Sequence, residues 1–367
     1  MGPRGRAGSR SPGAGARAGS VRACRRGTAV LSTSMARELS DLHIHVGGAV
    51  APHILWSIAH EQGFKLPVPD YWEFKELVSA RAGKVRSLDE YLAVMHQWTE
   101  RIQSSPAAME RSIYEVIGKE YRSSRVSLIE LRFNPMKRNE GGERDLDHII
   151  HAALRGMDRA CMEYGVQAGL LFCLAREFPL ELNQILVEKA VRYRRRGVVG
   201  IDLAGTERNA LELMPAEVKR YRELFAAARK EGLKTTVHTG ETARTGPEGV
   251  RAVVEELEPH RIGHGICAAR DERVMDLLRE RGVVLEICPS SNLATRAVGS
   301  LDELGSILRR FWERGVKFTI NTDGPYLLDT NMRSEVRMLR EAGVLAEEQL
   351  EQAARWAREA TFIGAEG

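Results

Sequence analysis

Two histidines one residue apart, His43 and His45, sit in the chain's first apolar run, "DLHIHVGGAV", Asp41 to Val50. Side chains on a strand alternate with a period of two, so both imidazoles leave from one face and can grip a single ion. Later apolar runs close on further polar residues: His238 and Glu241 in "VHTGE", His264 in "RIGHG" and Asp323 in "NTDGP". Imidazoles joined by a carboxylate, with one position left for water, are what a catalytic Zn²⁺ needs, and His43, His45, His238 and Asp323 supply that set. The competing reading is that each is an ordinary polar residue satisfied near a strand end. That suits His264 taken alone, but it is the weaker explanation for an H-x-H whose partners all fall at the same end of a series of strands.

Those residues need elements that carry them to one place. Eight apolar runs read as strands: 39–46, 126–133, 168–175, 198–205, 233–240, 260–266, 283–290 and 316–323. Between them lie stretches with apolar residues three and four apart, such as 214–232 and 271–282, each closing near a glycine suited to a helix C-cap. Strands alternating with helices imply parallel pairing through right-handed crossovers. Eight units over about 330 residues predict an α/β fold, a (β/α)8 TIM barrel, with a doubly wound sheet as the competing architecture. The gap between the first two strands is too long for one crossover helix and reads as several, including 87–103 and 106–124. A helical insertion after the first barrel strand lies over the active face and is a candidate lid.

Composition narrows the function classes. The chain carries 54 basic and 50 acidic residues, but residues 1–34 hold seven of the arginines and no acid, leaving the rest about three charges negative. Nucleic-acid binding by a basic folded surface therefore has no support. The Arg/Gly-rich segment 1–34 is expected to be disordered, a solvated arm or a start preceding Met35 rather than a targeting peptide. Cys24, Cys161, Cys173, Cys267 and Cys288 form no C-x-x-C pair. They read as reduced, buried thiols of a cytoplasmic protein. No run reaches the roughly 18 to 20 apolar residues of a membrane span.

The stretches "HIHVGG", "ELRFNP", "GIDLAG", "VHTGE", "RIGHG", "EICPSSN" and "NTDGP" follow one another in a specific order. In that order and approximate spacing the chain, from about 39 to 363, resembles the adenosine deaminase family of metal-dependent hydrolases, within the amidohydrolase superfamily. Residues 35–367 are accordingly expected to form one metal-dependent deaminase barrel. The resemblance implies one Zn²⁺ per chain on His43, His45, His238 and Asp323, a ligand set that suits iron as well. It also implies Glu241 as proton donor to a ring nitrogen, His264 beside the activated water, and Gly205 offering its backbone amide to the substrate ring. The implied reaction is hydrolytic deamination of an adenine-type nucleoside, with ammonia released. It asks the metal to lower the pKa of water, Asp323 to accept a proton, and burial to keep Glu241 protonated.

Two positions depart from the family. Its adenosine enzymes read H-x-H-L-D-G and T-D-D-P where this chain has His43-Ile44-His45-Val46-Gly47-Gly48 and Thr322-Asp323-Gly324-Pro325. In the family the first missing acid faces the ribose 5′-hydroxyl and the second meets purine N7. Gly47 and Gly324 are therefore candidate substrate-binding positions, and ordinary adenosine is expected to fit poorly. The space at the glycines is expected to admit water or a larger substituent. A 5′- or ring-modified adenine nucleoside follows, 6-aminodeoxyfutalosine being one, with Arg81, Lys84 or Arg208 as candidate cations for its carboxylate. The alternatives are a superfamily hydrolase that does not deaminate, which the absence of a lysine at the end of the fourth strand disfavours, and an inactive ligand-binding relative. Arg176, Asp202, Glu130 and Arg132 stay open between orienting groups and structural ion pairs. His53, His60, His96, His148, His151 and His260 are expected in solvated or capping roles. The oligomeric state is not legible.

Overall fold

The computed structural model describes residues 38–140, 145–210 and 215–364, together with Gly2 and Gly142. The expectation for residues 1–34 thus lies, Gly2 apart, outside the described residues. The strands are β1 (Leu39–His45), β2 (Val126–Phe133), β3 (Gln167–Ala175), β4 (Val198–Ala204), β5 (Lys234–Thr239), β6 (Arg261–His264), β7 (Val284–Ile287) and β8 (Phe318–Ile320). They form one sheet in sequence order with every neighbouring pair parallel. The segment after β8 returns to β1: His45 N–H donates to the Asp323 carbonyl at 2.7 Å, and Asp323 N–H to that of His43 at 2.8 Å. Closure of the sheet in this way makes the fold a (β/α)8 TIM barrel. Arg37–Gly367 is one compact unit.

Local sequence explains the elements. β3 is buried from Gly169 to Ala175 because it faces barrel interior on one side and the helix ring on the other. The helix Pro106–Ser124 starts where the Ser105 hydroxyl accepts the Ala108 N–H. Leu301–Arg314 ends at Gly315, whose φ of 70° suits a residue without a Cβ. The expected strand 283–290 stops early because Pro289 opens a short helix, Pro289–Ala294. After β8 the chain leaves the strand at Asn321, whose side-chain oxygen takes the Leu42 N–H at 3.0 Å. His264 and Asp323 then hold φ values of 61° and 62°, a region that residues other than glycine avoid. Both are among the expected site residues, and such conformations persist where surroundings enforce them.

Between β1 and β2 lie several helices, including Pro52–Glu61, Tyr71–Leu77, Leu88–Val94 and Pro106–Ser124. From Leu88 the helical path widens into a π turn at Met95–Thr99, where Glu100 N–H bonds the Met95 carbonyl five residues back. Tyr91 and Met95 pack with Ala294, Leu327 and Leu328 in an apolar cluster separate from the main core. That cluster pins this helix to the loops following β7 and β8. No helix among the described residues is long and apolar enough to cross a membrane.

Candidate active site

His43 and His45 leave β1 on one face and meet His238 from β5. His238 Nε2 lies 3.0 Å from His43 Nε2 and 3.1 Å from His45 Nε2. Asp323 Oδ1 completes the group at 3.8 and 3.6 Å from the Nε2 atoms of His43 and His45. Burial, followed by Arg132 and the neighbouring imidazoles, pushes the pKa of His43 well down; burial, His238 and Arg132 do the same for His45. The Nδ1 sides are occupied by carboxylates: Glu286 at 2.7 Å from His43 and Asp202 at 3.0 Å from His238. A neutral imidazole that donates Nδ1–H to a carboxylate presents a bare lone pair at Nε2. Lone pairs about 3 Å apart repel unless a cation lies among them, so this donor set fits a metal ion. A second grouping, His43 with His264 and Cys288, does not. Cys288 donates to the Glu286 carbonyl, and burial pushes its thiol pKa up.

Behind the donors runs a buried charge network. Arg132 donates to Asp202 at 3.1 Å and to Glu286 at 2.9 Å, and Arg261 donates to Glu286 at 2.6 Å. Burial opposes the charge on Asp202, yet His238 and Arg132 hold its carboxyl well below the usual range. Asp202 therefore both orients His238 and ion-pairs with Arg132, which also holds Glu286, the carboxylate on His43. Glu130 pairs instead with Arg261 and receives the Phe362 N–H, away from the donor atoms, and acts structurally. Arg176 donates to the backbone carbonyls of His238 and Gly205, bracing the ends of β4 and β5.

Glu241 and His264 face the same space. His264 Nε2 is 3.6 Å from Glu241 Oε2, while Asn292 Nδ2 donates to His264 Nδ1 at 3.0 Å. The proton of a neutral His264 consequently sits on Nε2, and burial first of all keeps its pKa well down. Burial, then Glu207 and Asp323, raises the Glu241 pKa well above its ordinary value, which favours the protonated carboxyl. Its Oε1 has no partner among the described residues. Glu207 positions it by accepting the N–H groups of Glu241 and Thr242, both at 3.0 Å. On Asp323, burial raises the pKa and the Ser291 hydroxyl, 2.5 Å from Oδ2, opposes that rise.

The two departing glycines are not open space, which corrects that expectation. A Cβ on Gly47 would lie 3.0 Å from Glu100 Cγ and 3.0 Å from Met95 Cγ; one on Gly324 would lie 2.2 Å from the Tyr91 hydroxyl. Side chains of the helix after Leu88 fill the room that the missing acids would take. The cavity over the donors is lined by His45, Gly47, Gly205, His238, Glu241, His264 and Asp323, and Tyr91, Met95 and His96 wall it. Gly324 lies behind Tyr91 and is not part of the lining. Gly205, at φ 109°, backs onto the Glu177 carboxylate.

Two further expectations are corrected. Arg81 and Lys84 pair with Glu76 at the surface, and Arg208, 61% exposed, pairs with Asp89. None of these cations lines the cavity. His96, expected in a solvated or capping role, lines it. Glu286, Ser291, Asn292, Glu207 and Tyr91 were not singled out from sequence. A lone glutamate within the four-residue buried strand "VLEI" was the available signal for Glu286. The polar run "SSN" within the short helix Pro289–Ala294 was the signal for Ser291 and Asn292.

A barrel whose strand ends converge three imidazoles and a carboxylate on one point is the architecture of a metal-dependent hydrolase. The adenosine deaminase family model matches residues 39–367, and the chain belongs to that family. Adenosine deaminase of Clostridium kluyveri is 32% identical over 303 residues, covering 82% of each chain. Two solved structures share the fold. Adenine deaminase from Arthrobacter aurescens superposes with a TM-score of 0.77 at 19% identity, covering 89% of this chain and 94% of that one. An amidohydrolase from Burkholderia ambifaria with bound Zn superposes with a TM-score of 0.77 at 21% identity, covering 90% and 87%. The chain is a hydrolytic deaminase.

Proposed function

We propose that the chain deaminates an adenine nucleoside whose 5′ end is modified, on a site that holds one Zn²⁺ through His43, His45, His238 and Asp323. The observation that carries the chemistry is the convergence of those four donor atoms beside the buried Glu241 and His264, whose side chains face the same space. A divalent ion held there supplies the Lewis acidity that makes water a nucleophile near neutral pH. Asp323 Oδ1 accepts the proton of the attacking water, and His264 Nε2–H donates to its oxygen, orienting it toward C6. As the C–O bond forms, negative charge moves onto the ring, and Glu241 Oε1 donates its proton to the ring nitrogen. The exocyclic amine takes the proton held by Asp323 and leaves as ammonia, while the hydroxyl now on C6 returns a proton to Glu241. The kinship with adenosine deaminases supports purine as the reacting ring.

Recognition is where this chain differs. The Tyr91 hydroxyl is buried, has no partner among the described residues, and sits against Gly324. An unpaired buried hydroxyl costs about 1–3 kcal/mol, a cost recovered when a ligand supplies an acceptor. Purine N7 is such an acceptor, so Tyr91 takes the place of the missing acid there. At Gly47 no carboxylate is free for a 5′-hydroxyl, since Glu100 is engaged by Arg138 and His96. The test is ammonia release by the zinc-loaded chain from adenosine, deoxyadenosine, adenine, 5′-modified adenosines and 6-aminodeoxyfutalosine. A 5′-modified substrate is expected to exceed adenosine about 100-fold in kcat/KM. Adenosine as the best substrate, or two metals per chain, would reject the assignment.

A further inference from the structure

The cavity is also lined by Asn134, Lys137 and Arg138 from the segment after β2, by His96 from the π turn and by Glu100, the residue that follows it. Arg138 is fully buried; its Nη1 ion-pairs with Glu100 at 2.8 Å, while Nε and Nη2 have no partner among the described residues. Asn134 Oδ1 accepts the N–H groups of Met136 at 2.9 Å and Lys137 at 3.1 Å, which fixes the amide and leaves its Nδ2 unpartnered and buried. His96 Nδ1 bonds Glu100, leaving a buried Nε2 likewise unpartnered.

Buried donors without acceptors are rare in folded proteins, and here several belong to residues that line one cavity. Arg138 ion-pairs with Glu100, while Lys137 lines the same cavity with its ammonium over the Phe178 ring, so two cations stand beside one carboxylate. Burial opposes the charge on Glu100, yet Arg138 and His96 hold its carboxyl well below the usual range, so it contributes a single negative charge. A hydroxyl cannot satisfy this set; an anion with two or more oxygens can.

We infer that the Asn134, Lys137, Arg138 and His96 group is a subsite for an anionic substituent, carboxylate or phosphate, carried at the 5′ end of the nucleoside. This rests on the proposed nucleoside reaction for the direction in which the ligand lies. Its geometry follows from Gly47: the Cγ of Glu100 fills the space where the family's acid faces the 5′-hydroxyl, and Arg138 pairs with that same Glu100 carboxylate.

Calorimetry with deaminated ligands separates the subsite from the reaction. The full chain, zinc-loaded, is titrated with inosine 5′-carboxylate against its neutral 5′-carboxamide, with inosine 5′-monophosphate, and with a 5′-aryl carboxylate against its methyl ester. At least one anion is expected to bind 30-fold or more tighter than its neutral counterpart, and the winning arm identifies carboxylate or phosphate and the length of the arm. Arg138→Gln is expected to bring that ratio down at least tenfold. Because Arg138 is buried and that variant can fail to fold, Lys137→Gln is measured in parallel and is expected to lower the ratio at least threefold. Equal affinities within every charged and neutral pair in the unaltered protein would overturn the subsite. Tight anion binding with no ammonia released from any adenine analogue would sink the proposed reaction and leave the subsite standing.

Discussion

Asp202→Asn is the substitution that tests how the metal donors are held. Arg132 Nη1 donates to Asp202 Oδ2 at 3.1 Å, and His238 Nδ1 lies 3.0 Å from Oδ1. An asparagine has one oxygen, and Arg132, which can only donate, claims it. The amide nitrogen then faces His238 Nδ1 and donates to it, so the imidazole must carry its own proton on Nε2. That atom is 3.0 and 3.1 Å from the Nε2 atoms of His43 and His45, where a ligand lone pair is needed. Loss of such a supporting carboxylate typically weakens metal binding about 10- to 100-fold, or about 1.4–2.8 kcal/mol. The assay is zinc affinity by competition with a chromophoric chelator, with circular dichroism confirming the fold. Zinc binding within twofold of the unaltered protein would refute the orienting role of Asp202.

Other expectations follow from buried groups. Tyr91→Phe removes a buried hydroxyl without a partner, so thermal unfolding should shift upward by about 1 kcal/mol while kcat/KM for the purine nucleoside falls about tenfold. With Glu241 as the proposed acid and its pKa raised, first by burial, kcat/KM should fall on an alkaline limb that lies above the ordinary carboxylate range. Burial pushes the Glu335 carboxyl up to about 7, against an ordinary 4.5, so the folded state keeps a proton that the unfolded chain releases. Stability should therefore drop as pH rises from about 4.5 to 7, by up to about 3 kcal/mol, and urea unfolding of Glu335→Gln should lack that dependence.

What the sequence made legible followed from periodicity. His43 and His45 share a face because strands repeat every two residues, and eight apolar runs alternating with helical stretches were enough to anticipate the barrel. His238, Glu241, His264 and Asp323 came with the strand ends. The long-range partners were hidden. Glu286 supports His43 across 243 positions, and nothing local to "VLEI" names its target. The filling of Gly47 and Gly324 by Met95, Glu100 and Tyr91 depends on how a π turn packs onto the loops after β7 and β8. The same holds for the cations: Arg138 reads as one surface charge in "MKR" until the fold buries it, whereas Arg81, Lys84 and Arg208 stay paired outside the cavity.

The most direct test of the proposed chemistry is ammonia release by Glu241→Gln, with metal content measured on the same sample. The substitution keeps the shape of the side chain and removes only its capacity to donate a carboxylic proton. One metal per chain should be retained, while turnover falls about 10²- to 10⁴-fold, the usual contribution of a general acid. Unchanged ammonia release from a variant that still binds its metal would contradict the assignment of Glu241 as the acid that protonates the ring.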